Sequence, residues 1–248
     1  MTKPFCLVAA GLALAISAAP VAAETTINIQ PFSAAAYQNT VAGLGSVVVE
    51  DFETVLGPNQ VQQELSGPLS TAVGTFSTLG GTGTGGSVIG TGMQLSLKND
   101  TQSPNNFGRF NTTPGGSWFL DSNDTDGIRW DITASNLFQT VGFTLSDAAD
   151  QGARLVISSV LGTVTTDLAA FANRPNAEVN LITIDFGELV SEATILFTNT
   201  YAGKRLNDGF SLDDVFVAPI PLPAPLLMLL AALGALVALR RRNGATTA

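Results

Sequence analysis

Twenty carboxylates are the main chemical resource of this chain, and they cluster. Glu50-Asp51-Phe52-Glu53 lies near the start of the regular part, Asp121-Ser122-Asn123-Asp124-Thr125-Asp126-Gly127 in the middle, and Asp208-Gly209-Phe210-Ser211-Leu212-Asp213-Asp214-Val215 near its end. Grouped carboxylates can offer oxygens to a hard cation, serve as an acid and base across a glycosidic bond, or keep a strand edge solvated. Their spacing singles out no glycosidase pair, so no catalytic residue is assigned and the chain is read as a non-enzyme. It has no histidine, and Cys6 is its single cysteine. Triads with a histidine base and zinc sites of the Cys/His type are therefore excluded. In the middle cluster, Ser122, Asp124 and Asp126 fall at EF-hand ligand positions when Gly127 is aligned with the loop glycine. Thr133 then stands where a bidentate glutamate is needed, so a turn is the preferred reading.

Both ends read as addresses. Met1 to Ala23 carries Lys3, an apolar run from Phe5 to Ile16 and the small-residue end Val21-Ala22-Ala23, which predicts cleavage by signal peptidase after Ala23. At the other end, Pro219 to Pro225 alternates proline with small or apolar residues, Leu226 to Leu239 is continuously apolar or small, and Arg240-Arg241-Arg242 follows. A helix over 226–239 spans about 21 Å, short of a hydrocarbon core of about 30 Å, and starting the span at Ile220 restores the length. The arginines stay cytoplasmic, because guanidinium groups do not cross hydrocarbon cheaply. Lys3 and the three terminal arginines account for four of eleven cations, which leaves seven against twenty acids and a net charge of −13 on the body. Nucleic acid and anionic lipid are poor partners for such a surface. A body without thiols must be held by its core, by hydrogen bonds, or by a hard cation such as calcium.

The tail resembles the PEP-CTERM class of bacterial sorting signals in its Val-Pro-Leu-Pro-Ala variant. Ile220, Pro221, Leu222, Pro223 and Ala224 carry the match, with isoleucine in place of valine, and the apolar segment and arginine cluster complete the three-part pattern. The resemblance implies processing near this motif by an exosortase-type transpeptidase. It also implies a transient inner-membrane anchor with the body outside, and then residence at the cell surface or in an exopolysaccharide or biofilm matrix.

The elements that must position the acids are strands. Ser46–Phe52, Leu69–Phe76, Met93–Leu97, Gly127–Ile132, Val141–Ser146, Ala153–Ser159, Val179–Phe186, Glu192–Asn199 and Phe210–Val217 are rich in Val, Ile, Thr and Phe and are bounded by turn residues. Val141, Phe143 and Leu145 alternate with Gly142, Thr144 and Ser146, which puts the apolar groups on one face. Only 32–42 suggests a helix, and a brief one. The expected organisation is a signal peptide over 1–23, one all-β domain over 24–218 and a sorting tail over 219–248. Within it we expect an antiparallel β-sandwich of jelly-roll type plus a single C-terminal transmembrane helix. Gly81, Gly83 and Gly86 formally fit G-x-G-x-x-G, but Ser-Val-Ile-Gly-Thr-Gly follows, which breaks the helix a dinucleotide site requires.

Phe52-Glu53 and Asp213-Asp214-Val215 are similar to the first and last strands of calcium-bearing β-sandwich carbohydrate-binding modules. That resemblance implies adjacent terminal strands and a structural calcium (Ca2+) held by Glu53, Asp213 and Asp214, with Glu50 or Asp51 as supplements. Solvated strand-edge acids are the plainer alternative. Glycan recognition often uses an exposed aromatic, and Trp118, after Gly115-Gly116-Ser117, is the one expected at the surface. Two readings of the body follow: a structural matrix protein associated with extracellular polysaccharide, or a glycan-binding module with a structural calcium.

Overall fold

The computed structural model describes residues 24–56, 60–83, 88–100, 107–148, 154–167, 177–198, 200–201, 204–205 and 209–219. The cleavage position Ala23 and the tail residues Ile220, Pro221, Leu222, Pro223, Ala224, Arg240, Arg241 and Arg242 lie outside these, as does the expected anchor helix. In chain order the elements are β1 (Thr26–Pro31), α1 (Ala34–Leu44), β2 (Val48–Glu50), β3 (Gln63–Glu64), β4 (Leu69–Thr71), β5 (Gly74–Thr78), β6 (Ser96–Asn99) and β7 (Trp118–Asp121). They continue with β8 (Gly127–Ser146), β9 (Arg154–Ser159), β10 (Gly162–Asp167), β11 (Val179–Thr198), β12 (Thr200–Tyr201), β13 (Lys204–Arg205) and β14 (Ser211–Pro219). The described chain is all-β apart from α1, which starts at Ser33, whose hydroxyl accepts from the Ala36 amide at 3.1 Å, and stops at Gly45 in a positive-φ conformation. Among the described residues no helix is long and apolar enough to cross a membrane.

Two strands of twenty residues each, β8 and β11, organise the sheet. Straight, each would reach about 66 Å, so they must bend. They do so where the antiparallel register slips, between Asp185 and Val190 and between Val190 and Glu192, opposite 133–140. Bulges of this kind bend a strand and increase its twist. The bend gives each long strand two sets of neighbours. The half built from 127–133 and 192–198 continues through β5 and β4 on one side and β9 and β10 on the other. The half built from 138–146 and 179–185 continues through β1 on one side and through β14 on the other, which in turn pairs with β2 and β7.

The two halves face each other across an aromatic core. Trp130 meets Phe143 edge-on at 6.2 Å, and Phe143 meets Phe197 at 4.9 Å, so one ring of the second half is wedged between rings of the first. Phe76 stacks on Trp130 at 5.7 Å and Phe52 packs edge-on against Phe76 at 5.6 Å. All five are fully or almost fully buried. The alternation expected at Val141, Phe143 and Leu145 is met in part: the three are buried, but so are Thr144 and Ser146, and Thr112 of the 111–118 segment lies against Thr144 on that opposite face. Several expected strands are joined or divided. Gly127–Ile132 and Val141–Ser146 are one strand, as are Val179–Phe186 and the expected Glu192–Asn199 as far as Thr198, because the polar interruptions at Ser135-Asn136 and Gly187-Glu188 are bends rather than chain reversals. Leu69–Phe76 is instead a hairpin, with Thr71 Oγ1 accepting from the Val73 amide at its turn.

Candidate functional site

Strand β2 pairs antiparallel with β14, with Val215 opposite Glu50 and Val217 opposite Val48. The two outer acid clusters of the sequence are thereby brought together. Each cluster holds a residue of positive φ: Phe52 at 58°, just after β2, and Asp214 at 48°, inside β14 within a register slip between Asp213 and Phe216. Local bonds set the first corner: Glu50 Oε1 accepts from the Phe52 amide at 2.9 Å and Asp51 Oδ1 from the Glu53 amide at 3.2 Å. Side chains that return to nearby amides in this way stabilise turns.

The segment Asn111–Trp118 lies between the two clusters and supplies their donors. Glu53 Oε1 accepts from Asn111 Nδ2 at 2.9 Å and from the amides of Ser117 and Trp118 at 2.7 and 2.8 Å. Asp213 Oδ2 accepts from the amides of Thr112 and Thr113 at 2.6 and 3.2 Å. Thr112 Oγ1 lies 3.1 Å from that oxygen and 2.8 Å from Asp214 Oδ2, and Thr113 Oγ1 donates to Asp214 Oδ1 at 2.8 Å. Burial and the neighbouring Asp214 push the Asp213 carboxyl well above the usual aspartate range. Burial also raises Asp214, with Asp51 and Glu53 adding to the effect, and raises Glu50. Tyr37, packed edge-on against Phe216, feels the same field, and burial together with Asp214, Asp213 and Asp51 keeps its phenol protonated.

The acids are oxygen donors of the kind calcium takes, yet among the described residues no three Asp, Glu, His or Cys side chains are arranged to hold a metal ion. The 111–118 segment already donates to Glu53 Oε1, Asp213 Oδ2 and both Asp214 oxygens. Glu53, Asp213 and Asp214 meet this segment directly, whereas Glu50 and Asp51 spend one oxygen each on the corner after β2.

The exposure expected of Trp118 is corrected. The residue is 4 % exposed and sits on β7 opposite Asn99. Gly115-Gly116 does not mark a projecting tip: a Cβ on Gly116 would lie 2.3 Å from Glu53 Oε1, so the glycine lets the backbone close onto that carboxylate. The closure draws the amides of Ser117 and Trp118 inward. Phe107, 52 % exposed, is the outward ring of the same region.

The middle cluster is a buried turn, in keeping with the preferred reading of 121–127. Asp121 is fully buried, and its Oδ1 meets Lys98 Nζ at 3.2 Å, Arg109 Nη1 at 3.0 Å and the Asn123 amide at 2.5 Å. Burial lowers the Lys98 pKa, with Asp121 opposing the shift. A Cβ on Gly209 would fall 1.9 Å from Arg109 Nη1, so that glycine makes room for the guanidinium. Nothing in the spacing of Lys98, Arg109 and Asp121 announced this ion cluster, because adjacency depends on the pairing of β6 with β7. The chain matches no protein-family model, and no curated protein matches it in sequence.

Proposed function

We infer that this chain is an exported, acidic, non-enzymatic protein of the cell surface or extracellular matrix. Its body is a jelly-roll-type sandwich displayed outside the cytoplasm, in contact with exopolysaccharide. Signal peptidase removes 1–23, and the apolar segment after Pro225 holds the protein in the inner membrane until an exosortase-type transpeptidase acts near Ala224. One observation carries the reading: β14, buried along 211–218, ends at Pro219, where the three-part tail begins. The last described strand of the body thus ends at the point where the sorting signal starts. Mass spectrometry of the protein recovered from its host is expected to find a C-terminus near Ala224, and an intact Ala248 would overturn the sorting role.

A second reading, favoured by the mutual repulsion of Asp51, Glu53, Asp213 and Asp214, gives this cluster a structural calcium and makes the body a glycan-binding module. Calcium would take six to eight oxygens there and neutralise the field that raises both aspartates. Melting the purified protein in calcium and then in chelator tests it: a higher midpoint with calcium is expected, and identical midpoints would remove the metal.

A further inference from the structure

Strand register aligns one outward side chain from each of six neighbouring strands into a row across the sheet. The row runs Thr163 on β10, Ser158 on β9, Thr194 on β11, Asp131 on β8, Thr75 on β5 and Ser70 on β4. Flanking residues on the same strands, Ile157, Ile195, Trp130, Ile132 and Phe76, are buried, so alternation turns the row to the outside. Every member is a hydroxyl or a carboxylate, and neighbours fix one another. Ser158 Oγ and Thr163 Oγ1 are 3.0 Å apart, Thr194 Oγ1 donates to Asp131 Oδ1 at 2.7 Å, and Ser70 Oγ lies 3.4 Å from Thr75 Oγ1. Arg129 Nε donates to Asp131 Oδ2 at 2.6 Å, which holds that carboxylate ionised and oriented.

Beside the row, a groove of about 470 Å³ opens over β8, β11 and β9, lined by Arg129, Asp131, Thr133, Ser158, Glu192 and Thr194. That volume lies within the range of small-molecule sites, roughly 300 to 1,000 Å³. Strands lie about 4.8 Å apart, so six of them make a row about 24 Å long with a polar group at each step. A pyranose ring in an extended chain advances by about the same step. A sugar chain laid across the strands therefore meets one hydroxyl or carboxylate per ring. Arg129 contributes one positive charge against Asp131 and Glu192, and this negative balance repels anionic polymers while leaving a neutral polyol unaffected.

We propose that this row and its groove are a binding track for a neutral, extended polysaccharide chain running across the strands from β10 to β4. The track deepens, and rests on, the reading of the body as displayed in a polysaccharide layer. Because individual hydrogen bonds contribute modestly, affinity arises from repetition along the row. The test uses the full chain purified in a non-glycosidic detergent, with cellohexaose, β-1,4-mannohexaose, cellobiose and polygalacturonate as probes in titration calorimetry. At least one neutral hexasaccharide binds, about tenfold or more tighter than cellobiose, and polygalacturonate does not compete. The double substitution Ser158→Ala, Thr194→Val removes two hydroxyls from a solvated face and weakens hexasaccharide binding about tenfold. Thr26→Val, on exposed β1 outside the row, leaves binding unchanged. Melting curves matching the parent show that both variants are folded. Absence of hexasaccharide binding, equal loss in Thr26→Val, or preference for polygalacturonate would overturn the track. None of these outcomes bears on where the C-terminus is processed, so failure of the track and failure of the sorting role remain distinguishable.

Discussion

Thr112 Oγ1 has one proton to give and faces three oxygens: Asp214 Oδ2 at 2.8 Å, Asp213 Oδ2 at 3.1 Å and Thr144 Oγ1 at 2.7 Å. Thr144 directs its own proton to the main-chain carbonyl of Asp213 at 2.8 Å. A proton on one of the two carboxyls supplies the second donor that this network needs, in agreement with the raised pKa of both aspartates. A folded-state pKa above the unfolded value, about 3.9 for aspartate, gives stability that is complete below that value and is lost as pH rises through the folded value. The pair therefore destabilises the fold progressively above about pH 4. Asp214→Asn keeps an acceptor for Thr113 Oγ1 and offers an amide donor to Thr112 Oγ1, while removing a charge that Asp213, Asp51 and Glu53 repel. The variant is expected to melt higher than the parent at about pH 8 and to lose less stability as the pH rises above about 4. Parallel thermal melts across that range decide it, and superimposable profiles would refute the shared-proton account.

At the scale of elements, the 111–118 segment works as a bracket between the corner after β2 and the bulge of β14. Glu53 receives three of its donors at a single oxygen, so the oxygen has little freedom to retreat. Gly116→Ala places a methyl 2.3 Å from that oxygen and is expected to cost roughly 1–3 kcal/mol as an overpacking change. In a Glu53→Ala background the obstacle is gone. A double-mutant cycle in urea should show the cost of the alanine shrinking by most of its value. Additive costs would mean that the glycine serves the backbone alone. The juxtaposition was legible only through the resemblance, which implies adjacent terminal strands; β2 does pair with β14, although Phe52-Glu53 lies just past the end of β2. The bracket was not, because its donors are mostly backbone amides, which no residue type advertises. The burial of Trp118 was hidden too: two glycines signal a permissive backbone, not the direction in which that backbone moves. The row from Thr163 to Ser70 was hidden as well, since a one-residue change of register would turn any of its members inward.

Across the whole molecule, the bend in β8 and β11 makes the two halves of the sheet a single cooperative unit. Nine strand signals were readable from Val, Ile, Thr and Phe runs, yet the fusion of four of them into two long strands was not, because a bulge and a turn share the same polar residues. Phe143 shows what the fusion achieves: it belongs to the half paired with β14, and its ring lies against Trp130 and Phe197 of the other half at 6.2 and 4.9 Å. Neither half can lose this contact without opening the core of its partner, so both should unfold together. Trp130 reports on the first half, and Trp118, on β7 beside β14, reports on the second. The expected result is a single urea transition in which tryptophan fluorescence and far-ultraviolet dichroism coincide. Phe143→Ala should lower the stability by about 3–5 kcal/mol, through lost burial and the cavity left between the halves, while keeping the two probes together. Separate transitions in the parent protein would mean that the bend is a hinge between independent sheets and that the aromatic contact does not couple them.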